Sequence, residues 1–271
     1  MRTLSNQLRL ISDSDLPALI SGLPGSGRRF VARTIHDLGR RRNEAFAVVD
    51  CSVLNAALGI RMSSPEHQET AVSDLCERLS AQFVLADGGT VLLKDVDQLP
   101  LVLQGVLPRL IEYGELPVDP TKYRHKVDVR VLATHGGDLY QQALIGNFRE
   151  DLLYRLDVLN IDVPLLRKRR REIAPLIRLF TERYAQWYRL PKIEITMAAM
   201  NALENYRWPK NIRELRLVTE TLAVARAGEL IELKDLPSVM RHSTREMAPP
   251  QARMDRPGIV SRSMRPRGIG Y

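Results

Sequence analysis

From its start to about residue 165 the chain alternates short apolar runs with amphipathic stretches, the rhythm of strands and crossover helices around a parallel sheet. Four runs read as strands: "PALIS" (17–21), "FAVVD" (46–50), "TVLLK" (90–94) and "DVRVLAT" (128–134), each bounded by Gly, Pro, Asp or a charged segment. Between them Val31, Ile35 and Leu38 share one helix face, as do Leu103, Leu107, Leu110 and Ile111. After Pro164 only helical periods remain, in "EIAPLIRLFTERYAQWY", "TMAAMNALENY" and "NIRELRLVTETLAVA". "LLRKRRRE" marks the boundary, and Thr196 and Asn211 are expected as helix caps. The pattern predicts a three-layer α/β domain over 1–165, a small helical lid over 166–240 and a basic tail over 241–271.

Composition adds limits. With 271 residues and 44% hydrophobic content the chain can bury a real core. No apolar run approaches the roughly 18 residues needed to span a bilayer, and "MRTLSNQLRL" lacks the apolar centre of a secretory signal, so no membrane partner and a cytoplasmic location are expected. Cys51 and Cys76 form no CxxC and have no histidine at ligand spacing, so neither a disulfide framework nor a zinc site is indicated. The net charge of +8 is concentrated in the tail, where seven arginines face only Glu246 and Asp255 among prolines and glycines. That composition reads as disordered. It is either a solvated tail or an arm for the phosphates of nucleic acid.

The most specific chemistry lies in "SGLPGSGRRF" (21–30), which follows the first strand and opens a helix. Gly22, Gly25 and Gly27 suit a tight turn whose N–H groups point at phosphate oxygens, aided by the positive end of the helix. Ser26 lies inside this loop. Arg28 stands where such loops carry lysine, and Arg29 where many carry a hydroxyl. Arginine keeps the charge but is a wider, planar fork.

Together with "ADGGTVLLKDVDQLP", "LPRLIEYGEL", "VDVRVLATH", "NFREDLLYRLDVLNIDVPLLRKRRREI" and "YRWPKNIREL", this segment resembles the AAA+ domain of bacterial sigma-54-dependent transcription activators, in order and spacing, over roughly residues 10–238. The resemblance implies an α/β P-loop AAA+ domain with a parallel sheet and a helical lid, assembly with other AAA+ subunits, and ATP as ligand. Carried over by position, it assigns trans-acting arginine fingers to Arg149 and Arg155 and a nucleotide-sensing arginine to Arg213. The alternative for any one arginine in so basic a chain is an exposed surface residue. Phosphoryl transfer needs such groups because negative charge builds on the γ-phosphate oxygens.

Several positions depart from the family. Its metal-binding aspartate and water-orienting glutamate fall on Lys94 and Asp95, leaving Asp95 as the candidate catalytic carboxylate. Strand alternation predicts that Asp95 faces away from Lys94, and that Lys94 repels magnesium and stands against a phosphate instead. A bulge returning Asp95 to the metal is the alternative. A family asparagine falls on Asp50, and the family's γ-phosphate sensor lies near Thr134 and His135. The GAFTGA loop that touches sigma-54 falls on "TAVSDL" (70–75), without its glycines or phenylalanine. Val72, Leu75, Cys76 and Leu79 recur there at helical spacing, so an ordinary packed helix is expected and sigma-54 contact is not. About ten residues precede the match and the tail is short and rich in Pro and Gly, so neither a receiver domain nor a helix-turn-helix is expected. The resulting reading is a degenerate, stand-alone member of the family, hydrolysis-impaired; the alternative is a weak but active ATPase with a different target.

Overall fold

The computed structural model describes residues 2–61, 68–116 and 126–241. Residues 242–271, most of the basic tail, lie outside them. A five-stranded, all-parallel sheet has the order β2-β3-β4-β1-β5, with β1 Ala18–Ser21, β2 Phe46–Asp50, β3 Thr90–Lys94, β4 Arg130–His135 and β5 Leu159–Asp162. The four apolar runs supply four of these strands. The fifth, "LNID", was not expected from apolar patterning: only Ile161 of its residues is buried.

Helices cover both faces: α1 Arg2–Ser12, α2 Arg28–Leu38, α3 Cys51–Arg61, α4 Gln68–Leu85, α5 Leu101–Gln104, α6 Leu107–Tyr113, α7 Leu139–Leu144 and α8 Glu150–Leu156. A parallel sheet must be buried on both sides, and β3 shows how the period-two pleat achieves this. Its Val91 and Leu93 enter one core with Phe83, Leu103 and Leu152, while Leu92 enters the other with Ile20, Ile35 and Leu132. Along α4, Ala71, Leu75, Leu79 and Phe83 are buried, so residues 70–75 belong to a packed helix. Burial of Cys51 pushes its thiol pKa well up, as expected for a small core residue.

The remaining chain builds a second core from α9 Ile173–Tyr188, α10 Met197–Asn205, α11 Asn211–Ala225 and α12 Ser238–Arg241, with a two-stranded parallel pair, β6 Glu194–Ile195 and β7 Leu230–Ile231. Trp208, buried at its centre with Ile177, Leu203 and Leu215, donates its indole N–H to the Leu203 carbonyl at 2.9 Å. Thr196 caps α10 by accepting the Ala199 N–H. Asn211 does not cap α11. It is the helix's first residue, held at φ 54° and buried, with its side chain turned toward the sheet domain.

Candidate nucleotide site

The loop from Gly22 to Gly27 leaves the end of β1 and enters α2, with φ of 147°, 78° and 104° at Gly22, Gly25 and Gly27. Gly25 is required twice over. Its left-handed φ favours glycine, and a Cβ there would lie 2.4 Å from the Lys210 carbonyl and 3.1 Å from Cβ of Arg213. Gly27 precedes α2 with no side-chain cap, leaving first-turn N–H groups of that helix for an anion. Ser26 Oγ is buried without a partner. Arg29 is exposed and forms no ion pair among the described residues.

Behind the loop, four charges alternate in sign. Arg28 Nη2 donates to Asp95 Oδ1 at 2.7 Å, Lys94 Nζ lies 3.5 Å from Asp95 Oδ2, and Lys94 Nζ donates to Asp50 Oδ2 at 2.5 Å. Asp50 Oδ1 also accepts the Ser52 hydroxyl at 2.6 Å. The expectation that Asp95 faces away from Lys94 is therefore corrected. Strand alternation ends at Lys94; Asp95 takes a left-handed φ of 54° and starts a 3₁₀ turn, which swings its carboxylate back toward its neighbour. Thr134, buried at the end of β4, fixes this turn by accepting the Asp95 N–H at 2.9 Å. Lys94 likewise does not stand free for a phosphate, because Asp50 holds it.

The electrostatics agree with this geometry. Hydrogen bonding to Asp50 holds the Lys94 ammonium pKa above its ordinary value, against the effect of burial. Burial by itself would raise the Asp50 carboxyl, but hydrogen bonds from Lys94 and Ser52 outweigh it and hold that carboxyl below the usual value. A magnesium ion requires free hard oxygen ligands. Here both carboxylates are bound to cations and an ammonium stands between them. These residues do not fit magnesium. They do fit a phosphate group, through the loop backbone and the buried, unpartnered Ser26 Oγ and Arg28 Nη1.

The helical lid closes the other side. Ile212 donates its N–H to the Gly25 carbonyl at 2.9 Å, and Asn211 Nδ2 donates to the Pro24 carbonyl at 3.3 Å while its Oδ1 accepts the Leu166 N–H at 3.0 Å. Arg169 Nη2 donates to the Ser26 carbonyl. Arg213 begins the exposed edge of α11 beside Gly25. Arg169 carries no motif that marks it for this site, and Asn211, expected as a cap, instead bridges to the loop. Two of the four non-glycine residues with positive φ among those described, Asp95 and Asn211, lie at this site.

Arg149 and Arg155 stand apart from the cluster. Arg149 precedes α8, donates its backbone N–H to Gln104 Oε1 at 2.8 Å, and lays its guanidinium across Asp151 with contacts of 3.0 and 2.7 Å. That hydrogen bond holds the Asp151 carboxyl below its ordinary pKa. Arg155, in the last turn of α8, pairs with Glu112.

Residues 1–162 match the family model of the Sigma-54 interaction domain, and residues 167–253 that of the AAA+ ATPase lid domain. Among curated relatives, the transcriptional regulatory protein ZraR of Klebsiella oxytoca is 37% identical over 237 residues, covering 88% of this chain and 53% of its own length. The anaerobic nitric oxide reductase transcription regulator NorR of Enterobacter is 32% identical over 270 residues, covering 98% and 52%. The chain thus spans about half the length of these relatives. The crystal structure of NtrX from Brucella abortus in complex with ATP is similar at a TM-score of 0.72 and 28% identity, over 89% of this chain and 55% of that one.

Proposed function

The chain belongs to the Sigma-54 interaction domain family of AAA+ proteins, and from that premise we propose that it is a nucleotide-binding, hydrolysis-impaired subunit acting in transcription regulation in the cytoplasm. One observation carries the reading: Lys94 is tied to Asp50 and Asp95 where the family pattern implies a metal-binding carboxylate. ATP would be held by the Gly22–Gly27 loop, Ser26 and Arg28, with Arg213 of the lid beside it. The phosphates supply the negative charge; the chain's residues bind and orient it and place no metal against it.

The contact with sigma-54 is proposed to be absent. GAFTGA occurs nowhere in the sequence, and the segment that stands in its place by count, 70–75, lies in α4. Partners are proposed to be other AAA+ subunits. Arg149 and Arg155 pair with Asp151 and Glu112 rather than with this chain's own phosphate loop, a placement that suits donation to a neighbour's nucleotide. An arginine supplied in trans can be worth about 10³ to 10⁵ in rate. The tail's arginines offer a further, sequence-independent contact to DNA.

The test is ATP binding and turnover by the pure protein with and without magnesium. Loss of one transition-state contact worth about 3 to 4 kcal/mol slows hydrolysis by roughly 10² to 10³. Binding without appreciable turnover is expected. Steady turnover near or above about 1 s⁻¹, abolished by Asp95→Ala, would instead establish the second reading, an active ATPase that uses Arg28 and Asp95.

A further inference from the structure

Arg28 is the first residue of α2, placed by the loop where a bound phosphate needs a cation, yet its side chain is nine-tenths buried and already occupied. Nη2 is taken by Asp95 Oδ1, while Nη1 is buried with no partner at all. Asp95 is itself held in place from three directions: by Arg28, by the Lys94 ammonium and, through its backbone N–H, by Thr134. Its left-handed φ turns this carboxylate out of the strand alternation and onto Arg28.

We infer that Asp95 is an internal competitor of phosphate: its carboxylate takes the guanidinium of Arg28, and a magnesium-free polyphosphate binds by displacing it. The inference rests on the reading of this site as a nucleotide site, and deepens it by naming the state of the ligand and the residue that opposes it. Its physical basis is charge. Arg28, Lys94, Asp50 and Asp95 sum to zero, so the two carboxylates offset the attraction that the two cations offer an incoming triphosphate. A carboxylate and a phosphate oxygen compete for the same guanidinium because both are charge-assisted acceptors, and Asp95 holds it through Nη2 alone. Asp50 plays the same part toward Lys94, but it also accepts two hydrogen bonds from Ser52 and is anchored outside the loop. Asp95 is the carboxylate that touches the loop cation. A water-orienting carboxylate would behave differently, since its removal would slow chemistry and leave binding of phosphate largely unchanged.

The experiment is calorimetric binding of ATP and of inorganic triphosphate to the full chain in EDTA, comparing wild type, Asp95→Asn, Arg28→Ala and the double variant. Asparagine keeps the size and one acceptor oxygen but removes the charge. Asp95→Asn is expected to tighten both ligands by about tenfold or more, and the gain is expected to vanish in the Arg28→Ala background. Thermal unfolding without ligand provides a check on folding: Asp95→Asn should melt as a cooperative transition at a lower temperature than wild type, and rise further than wild type on adding ATP. ATP binding by wild type with no gain in Asp95→Asn overturns the inference and leaves the nucleotide site intact. A gain that persists without Arg28 also overturns it, because the effect would then be general electrostatics. No binding of ATP by wild type or by folded Asp95→Asn at millimolar concentration removes the nucleotide reading itself, and the inference with it.

Discussion

Replacing Asn211 by alanine tests the contact that joins the lid to the phosphate loop. The side chain is buried and makes two bonds across the junction, accepting from Leu166 N–H at 3.0 Å and donating to the Pro24 carbonyl at 3.3 Å. Alanine leaves the buried Leu166 N–H unsatisfied, at a cost of about 1 to 3 kcal/mol. It must also hold φ at 54°, a conformation asparagine adopts more readily than other L-residues, which adds about 1 kcal/mol. The expected loss is therefore about 2 to 4 kcal/mol, or roughly 4 to 16 °C in melting temperature for a domain of this size. Chemical denaturation read by circular dichroism gives the energy, and Asn211→Gly separates its two parts. Glycine loses the same bonds but accepts positive φ freely, so it should be more stable than the alanine variant by about 1 kcal/mol. An alanine variant within about 0.5 kcal/mol of wild type would refute the reasoning, and equal stability of the two variants would refute its backbone part.

Lys94→Asp turns a cluster of two cations and two carboxylates into one cation and three carboxylates. It should lower stability in EDTA by about 1 to 3 kcal/mol, recover with millimolar magnesium, and make ATP binding magnesium-dependent; a wild type that already requires magnesium stoichiometrically would contradict the assignment. His36 tests pH. Burial first, and the nearby Arg33 charge second, lower its pKa from the ordinary 6.5, so the unfolded chain binds the proton more readily. Its contribution to stability should be complete above pH 6.5 and decline as pH falls below that value. Denaturation midpoints across this range should show the decline, and His36→Gln should flatten it.

The class of fold and the presence of a phosphate loop are legible in the residue order alone, because both depend on local signals. Alternation of apolar runs with helical periods is enough to specify a covered parallel sheet, and β1 to β4 fall on the four runs that show it. The glycine spacing in 22–27 is legible for the same reason, since each glycine answers a backbone need at its own position. β5 is not legible in the residue order, because a short edge strand with one buried residue carries no period. Which charges meet is set by the folded chain. Lys94 lies 44 residues from Asp50 and Arg28 lies 67 from Asp95, so their pairing depends on the neighbouring of β2, β3 and the loop. The turn that brings Asp95 beside Lys94 depends on the Thr134 hydroxyl at the end of another strand. Asn211 looks like a helix cap in one dimension and becomes a bridge between domains only when Pro24, 187 residues away, is brought within reach. Backbone propensity acts over a few residues, whereas Coulomb attraction and hydrogen bonding act only between groups that the fold has already placed within a few ångströms.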